Sequence, residues 1–347
     1  MERRPLFHAN LNVSVLSLGT MTWGEQNTET EAHDQLDWAV ANDINFVDTA
    51  EMYPVPPSAE TGLRTELILG KWLAKPGNRQ KVVLASKIAG PGRRDWIRNG
   101  ATSLTKANII EACEGSLRRL QTDHIDLYQI HWPDRNVAAF GTWRFDSGKE
   151  RPTVPIEEQV DAMQTLIRQG KISGYGLSNE TAWGATMFCR AAEKLGAPKP
   201  ASIQNPYCLL NRSFEGDLAE VSYREQVPLL AYSPLGMGVL TGKYLGGAAP
   251  EGARFTQFGK KMGGRYTRPL AMVATEEYAA LARKHGITVL QLSIAFVVTR
   301  WFGASAIIGG TSVPQLQQIL DAYQTQLSPE LLAEVDAIGD RYLHPSA

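Results

Sequence analysis

The chain repeats one alternation eight times: a short apolar run, then a longer segment whose apolar residues recur at helical spacing. The runs fall at residues 16–19, 46–48, 82–87, 127–131, 172–177, 201–204, 228–232 and 306–308. Runs that are apolar throughout suit strands covered on both faces, and strands separated by helices pair in parallel. Helices are expected at 29–41, 65–74, 106–120, 156–168, 182–195, 216–225, 276–284, 289–301, 315–323 and 329–338, with Thr105 able to cap the third. In the first of them Leu36, Ala39 and Val40 share the inward face. Eight such units spread over 347 residues fit an α/β chain closed into a (β/α)8 TIM barrel better than an open doubly wound sheet. The open sheet stays an alternative at this stage.

Two stretches interrupt the rhythm. Residues 132–155 are polar and contain Pro and Gly, and residues 235–270 are rich in Gly, Lys and Arg. Each follows the end of a strand, on the face where barrel enzymes carry their chemistry, and long loops in compact domains tend to be functional. No Ser/Pro-rich linker, internal repeat or low-complexity tract divides the chain, so one domain over 1–347 is expected.

Bulk properties narrow the class. The net charge of −1 leaves no basic excess for a nucleic-acid backbone. The longest apolar segments, such as 289–298, are far shorter than the ~20 residues that span a bilayer. The opening Met1-Glu2-Arg3-Arg4-Pro5 has two arginines with no apolar stretch after them, so no secretory signal is expected. Cys113, Cys189 and Cys208 are widely spaced, odd in number and without CxxC spacing, and read as reduced, buried thiols of a cytoplasmic protein. The six histidines show no HxxxH or HxH pairing, which argues against a metal site built on Asp48 and His131.

The informative residues stand where the strands end. Asp48 to Tyr53 follows Phe46-Val47, Lys87 follows Ala85-Ser86, and His131-Trp132 follows Gln129-Ile130. Ser178-Asn179, Gln204-Asn205 and Tyr232-Ser233 close three later strands in the same way. Singly, a lysine ending a strand is usually solvated, and a lone histidine is usually a satisfied structural group. Parallel strands would bring Asp, Tyr, Lys and His to one rim, and that coincidence carries the inference.

These segments resemble a known family. Gly19-Thr20-Met21-Thr22-Trp23-Gly24, Asp48-Thr49-Ala50-Glu51-Met52-Tyr53, Ser86-Lys87 and Asp126 to Pro133 are similar to aldo-keto reductase signatures. So are Gly176-Leu177-Ser178-Asn179 and Tyr232-Ser233-Pro234-Leu235-Gly236, and the likeness runs in order along nearly the whole chain. Glu51 to Pro57 and the insertion after Pro133 look most like the bacterial Tas-type branch of NADP(H)-dependent enzymes, and a potassium-channel β-subunit-like branch is related.

The resemblance implies reduction of aldehydes or ketones with NADPH as hydride donor, through a catalytic group of Asp48, Tyr53, Lys87 and His131. Tyr53 would be the general acid and His131 would orient the carbonyl oxygen. A lysine about 4 Å away, at an effective dielectric of about 20, would contribute roughly 4 kcal/mol and pull the tyrosine pKa down by up to about three. Asp48 would hold Lys87 charged. Trp23, Tyr53, His131 and Trp132 would contact substrate, and Phe140, Trp143 and Phe145 of the insertion would either extend that aromatic wall or pack against the barrel.

On the cofactor side, Gly236-Met237-Gly238 with Gly242 does not make a dinucleotide fingerprint, since the third glycine comes one residue late and no suitable acidic residue follows. The resemblance implies instead an extended NADPH across the rim. Ser178, Asn179 and Gln204 would bind its carboxamide, Tyr232 would stack on the nicotinamide, and Ser233, Pro234, Leu235, Gly236, Gly238 and Lys243 would border the pyrophosphate. Thr20, Met21, Gln26 and Asp48 would line its other flank. Gly309, Gly310, Thr311, Gln315, Gln318 and Ile319, at the start of a helix that favours anions, would surround the adenosine 2′-phosphate. Many relatives carry Arg or Lys near Ser312 and Asn where Ile319 stands. A second function implied by the likeness is a nicotinamide-binding subunit that reports redox state to a partner.

Overall fold

The computed structural model describes every residue except 93, 94, 263, 344 and 347, and leaves out the side chains of 260 and 262. Eight parallel strands close into a barrel. In chain order they are β3 (Leu16–Gly19), β4 (Phe46–Asp48), β5 (Val83–Ile88), β6 (Ile125–Ile130), β7 (Ile172–Ser178), β8 (Ile203–Pro206), β9 (Leu229–Tyr232) and β10 (Gly303–Ile308), the last pairing back onto the first. The closure settles the choice left open above, and the open sheet falls. Registers such as Asp48 beside Gly19 and Ala85, and Gln129 beside Lys87, bring the strand-end polar residues to one level.

Around the strands run α1 (Glu29–Ala41), α2 (Arg64–Leu73), α3 (Lys106–Leu120), α4 (Ile156–Arg168), α5 (Ala182–Leu195) and α6 (Asp217–Glu225). They continue as α7 (Arg254–Phe258), α8 (Pro269–Lys284), α9 (Val289–Val298), α10 (Val313–Tyr323) and α11 (Pro329–Arg341). Local chemistry sets the starts: Thr28 and Glu31 form a capping box on α1, and the Thr105 and Thr181 hydroxyls accept from the third backbone N–H of α3 and α5. Gly196, at φ 58°, ends α5 in the left-handed conformation that glycine adopts without strain.

The sequence predicts no element before Leu16, yet β1 (Arg3–Leu6) and β2 (Leu11–Ser14) form an antiparallel hairpin. Leu6 and Val13 of this hairpin pack with Phe46, Ala85, Leu127, Leu230 and Ala304, so the hairpin plugs the barrel at the strand starts. The opposite mouth is left for the loops. Residues 235–270 are shorter in irregular structure than expected, because α7 lies within them and α8 begins at Pro269. Among the described residues no single helix is long and apolar enough to cross a membrane.

Candidate active site

The mouth of the barrel opens into a cleft of about 1450 Å³. That exceeds the ~300–1,000 Å³ of a usual small-molecule pocket. Asp48 and Lys87 meet at its floor, 2% and 0% exposed, with Lys87 Nζ 2.5 Å from Asp48 Oδ2. Nζ also donates to the Thr49 carbonyl at 2.8 Å and lies 3.4 Å from the Tyr53 hydroxyl. The other carboxylate oxygen of Asp48 accepts from the side-chain amides of Gln129 (3.0 Å) and Gln204 (2.8 Å). A buried carboxylate is thus matched by one ammonium and two amide donors, which is what burial of an ion pair requires.

Tyr53 and His131 form the next layer. Their rings meet edge to face at 5.6 Å, and Trp132 packs on His131 at 4.9 Å. Burial pushes the Tyr53 hydroxyl well above its ordinary pKa, with the negative charge of Asp48 and the neighbouring Tyr232 adding to the effect. The expected lowering by Lys87 does not occur. Burial draws the Lys87 ammonium below its ordinary pKa while Asp48 works the other way, and at 2.5 Å the carboxylate offsets the field that Tyr53 would feel.

The later strand ends interlock. Asn179 donates from Nδ2 to the His131 carbonyl at 2.8 Å, and Tyr232 donates its hydroxyl to Asn179 Oδ1 at 2.7 Å. The Ser178 hydroxyl donates to the Gln204 carbonyl at 2.8 Å. Both protons of the Gln204 amide are taken, by Asp48 and by Gln129 Oε1, which leaves its own oxygen as the group that can meet a ligand. Asn179 and Ser233 hold φ of 52° and 55°, a left-handed backbone that non-glycine residues adopt mostly where function requires it.

Thr20, Met21, Gln26, Ser233, Pro234, Leu235, Gly238, Lys243, Gly309, Gly310, Thr311, Gln315, Gln318 and Ile319 line the same cleft. Gln315 accepts from the Thr311 N–H at 2.9 Å and fixes the turn before α10, and Gln26 donates to Gln257 of the long loop at 3.2 Å. Gly238, at φ 96°, has no Cβ, and one placed there would come within 3.2 Å of Lys243 Cε. This lets Lys243 fold over the turn.

Three sequence expectations change. Trp23 does not reach the cleft: it is fully buried in the core, and its indole donates to Gln35 of α1 at 3.0 Å. Gly236 lies behind the lining, where a Cβ would sit 3.4 Å from the Tyr266 ring. Phe140 joins the wall and meets Trp132 edge to face at 6.4 Å, whereas Trp143 and Phe145 are exposed and outside it.

The sequence reading also missed four residues. Gln129 was visible in principle, because the period of two puts it on the inward face with Leu127 and His131, a polar residue at a core position. Glu51 pairs with Arg98 and accepts from the Ala89 N–H at 2.6 Å, tying the Asp48–Tyr53 segment to the loop after β5. Arg254 and Arg265 enter the cleft from the 235–270 loop, with no local signal in the sequence.

The sequence profile described as the Aldo/keto reductase family matches residues 15–340. The chain belongs to the aldo/keto reductase family. It is therefore a member of a family of oxidoreductases. "Protein tas" of Escherichia coli strain K12 is 47% identical over 348 residues, covering the whole of both chains. "Uncharacterized oxidoreductase YrpG" of Bacillus subtilis is 33% identical over 341 residues, 97% of this chain and 96% of that one. "Probable voltage-gated potassium channel subunit beta" of Arabidopsis thaliana is 29% identical, again over 97% and 96%. Each of these matches runs along nearly the whole of both chains.

Proposed function

We propose that this aldo/keto reductase uses NADPH to reduce aldehydes or ketones to alcohols, with Tyr53 as general acid and Asp48, Lys87 and His131 as its supporting group. The observation that carries the reading is the buried Asp48–Lys87 pair standing 3.4 Å from the Tyr53 hydroxyl at the floor of an open cleft. A tyrosine kept protonated by burial is a proton donor across the neutral range. Lys87 donates a hydrogen bond to the phenol oxygen, which stabilises the charge that grows there as the proton leaves. His131, next to Tyr53, is placed to orient the same carbonyl oxygen.

The residues present suit an extended, highly anionic dinucleotide. Lys243 and Arg254 have no carboxylate partner among the described residues, burial lowers the pKa of both, and their mutual repulsion lowers that of Lys243 further. Lys243 is exposed on the cleft wall and Arg254 half-buried, and two neighbouring cations are stabilised by an anion between them. Gln204 Oε1 and Ser178 are placed for a carboxamide, and Tyr232 for an aromatic ring. When bound, the nicotinamide would supply the hydride. Arg254 supports a phosphate contact at the adenosine end that the sequence near Ser312 lacks.

The test is NADPH oxidation with a reactive aldehyde such as 4-nitrobenzaldehyde. Tyr53→Phe is expected to lose most of the rate and keep NADPH binding, and full activity in that variant would overturn the role of Tyr53. The potassium-channel β-subunit names among the relatives favour a second reading, a nicotinamide-binding regulatory subunit. Tight NADPH binding without turnover over a broad carbonyl panel would select it.

A further inference from the structure

Most of the chain's sequestered arginines have carboxylate partners. Arg79 pairs with Asp126 at 2.8 Å, Arg119 with Glu66 at 2.7 Å, and Arg212 with Glu215 and Asp336, each at 2.7 Å. Arg98 pairs with Glu51 and Arg135 with Glu180. Arg265 departs from this habit, as the half-buried Arg254 does. It is only 8% exposed, it lines the cleft, and among the described residues no carboxylate reaches it. Its guanidinium has the faces of Tyr266 at 4.9 Å and Tyr232 at 5.7 Å, and one long hydrogen bond to the Tyr232 hydroxyl at 3.4 Å. A guanidinium stays charged in any such setting, so its counterion has to come from elsewhere.

Arg265 belongs to the reacting end of the cleft. The Tyr232 hydroxyl that it reaches donates to Asn179, and Asn179 donates to the carbonyl of His131. It also packs on the insertion that follows His131 and Trp132: a Cβ on Gly141 would lie 3.4 Å from Arg265 Cβ, and Arg268 donates to the Gly141 carbonyl at 2.9 Å. Lys243 and Arg254 form a separate pair around Tyr244, whose hydroxyl accepts from the Phe255 N–H next to Arg254. The other cations that line the cleft on the insertion side are already matched, Arg135 by Glu180 and Arg151 by Asp134.

We infer that Arg265 is the anchor for a carboxylate carried by the substrate, so that the preferred substrates are oxo-acids: aldehydes or ketones bearing a carboxylate away from the reacting carbonyl. The inference rests on the reductase reading above for the carbonyl, and on Arg265 alone for the anion. A guanidinium presents a fork that matches the two oxygens of a carboxylate, and a water-poor wall between two tyrosines makes the pairing strong. Binding one end of the substrate there would hold the carbonyl near Tyr53 and His131.

A matched pair of probes tests this: 4-carboxybenzaldehyde and its neutral methyl ester, methyl 4-formylbenzoate, each reduced with saturating NADPH. The wild-type protein is expected to favour the acid by roughly tenfold or more in kcat/KM, as one charge-assisted hydrogen bond allows. Arg265→Gln should collapse that ratio toward one, and Arg265→Lys, which keeps the charge but not the fork, should restore part of it. Thermal denaturation of both variants reports folding. An acid-to-ester ratio that Arg265→Gln leaves intact, or a wild-type preference for the ester, overturns the proposal. So does a loss confined to NADPH affinity, which would give Arg265 to the cofactor. Calorimetric binding of 4-(hydroxymethyl)benzoate to the NADP+-saturated protein separates the two readings. Arg265-dependent binding without turnover of either aldehyde defeats the reductase and keeps the anion site, whereas turnover of both with no Arg265 dependence does the reverse.

Discussion

Asp48 Oδ2 and Lys87 Nζ stand 2.5 Å apart inside the barrel, where both side chains are buried. This one distance governs the site. It neutralises the charge that would otherwise lower the pKa of Tyr53, so Lys87 supports the tyrosine as a hydrogen-bond donor at 3.4 Å rather than as a free cation. The phenol keeps its proton, as a donor of that proton should.

The pair is coupled, and its stability should show it. Lys87→Met strands a buried carboxylate with only the Gln129 and Gln204 amides, and Asp48→Asn strands a buried ammonium. Each is expected to cost about 3–5 kcal/mol, the usual penalty for an orphaned buried charge. The double variant removes both charges and should cost clearly less than the sum of the two singles. Urea unfolding of all four proteins measures the cycle, and strict additivity would mean that the pair does not act as a unit.

The direction of the Tyr53 pKa fixes a pH profile. Only the protonated phenol can give a proton, and burial moves its loss of that proton above the ordinary value of 10.0. With saturating NADPH, kcat/KM for aldehyde reduction should therefore hold level from neutral pH to about pH 9, with any alkaline fall beyond that. A fall centred near pH 7 that disappears in Tyr53→Phe would show that this environment does not set the acid.

The Asp48–Lys87 end of the cleft was readable because strand ends carry information. Asp48, Lys87 and His131 each follow an apolar run, and parallel registers bring such positions to one rim whatever the loops do. Trp23 misled for a physical reason. It stands in the loop that follows β3, as a wall residue would, but beside Gly24 at φ 94° its indole turns inward to Gln35 of α1. The N-terminal hairpin was illegible because its strands are four residues long and polar on one face. Arg254 and Arg265 were beyond reach: what distinguishes them is that no carboxylate among the described residues reaches them in three dimensions, and no spacing in the sequence encodes that.

Arg254 and Lys243 supply the next expectation. If their missing counterion is a cofactor phosphate, Arg254→Met should weaken NADPH binding by about 10-fold to 100-fold, the value of one hydrogen bond to a charged group. Added salt should narrow the gap between wild type and variant, since part of the attraction is screened. Titration of the protein's tryptophan fluorescence with NADPH gives the constants. An NADPH affinity within twofold of wild type would remove Arg254 from the site.

The three thiols predict an alkaline limit to stability. Cys113, Cys189 and Cys208 are almost wholly buried, and burial raises their pKa to about 12, about 12 and about 11 from 9.0. Above pH 9 the unfolded chain releases these protons while the folded one retains them, so the unfolded state binds fewer protons and stability falls as pH rises. The stability is fully present below pH 9 and erodes from there toward the folded values. At pH 10 the three together should cost about 4 kcal/mol relative to pH 8, and the buried tyrosines add to the loss at higher pH. Urea unfolding at the two pH values measures the change. Ellman's reagent at pH 8 should find no fast thiol in the native protein and three in denaturant, and a thiol that reacts within minutes in the native state would contradict the burial on which the slope depends.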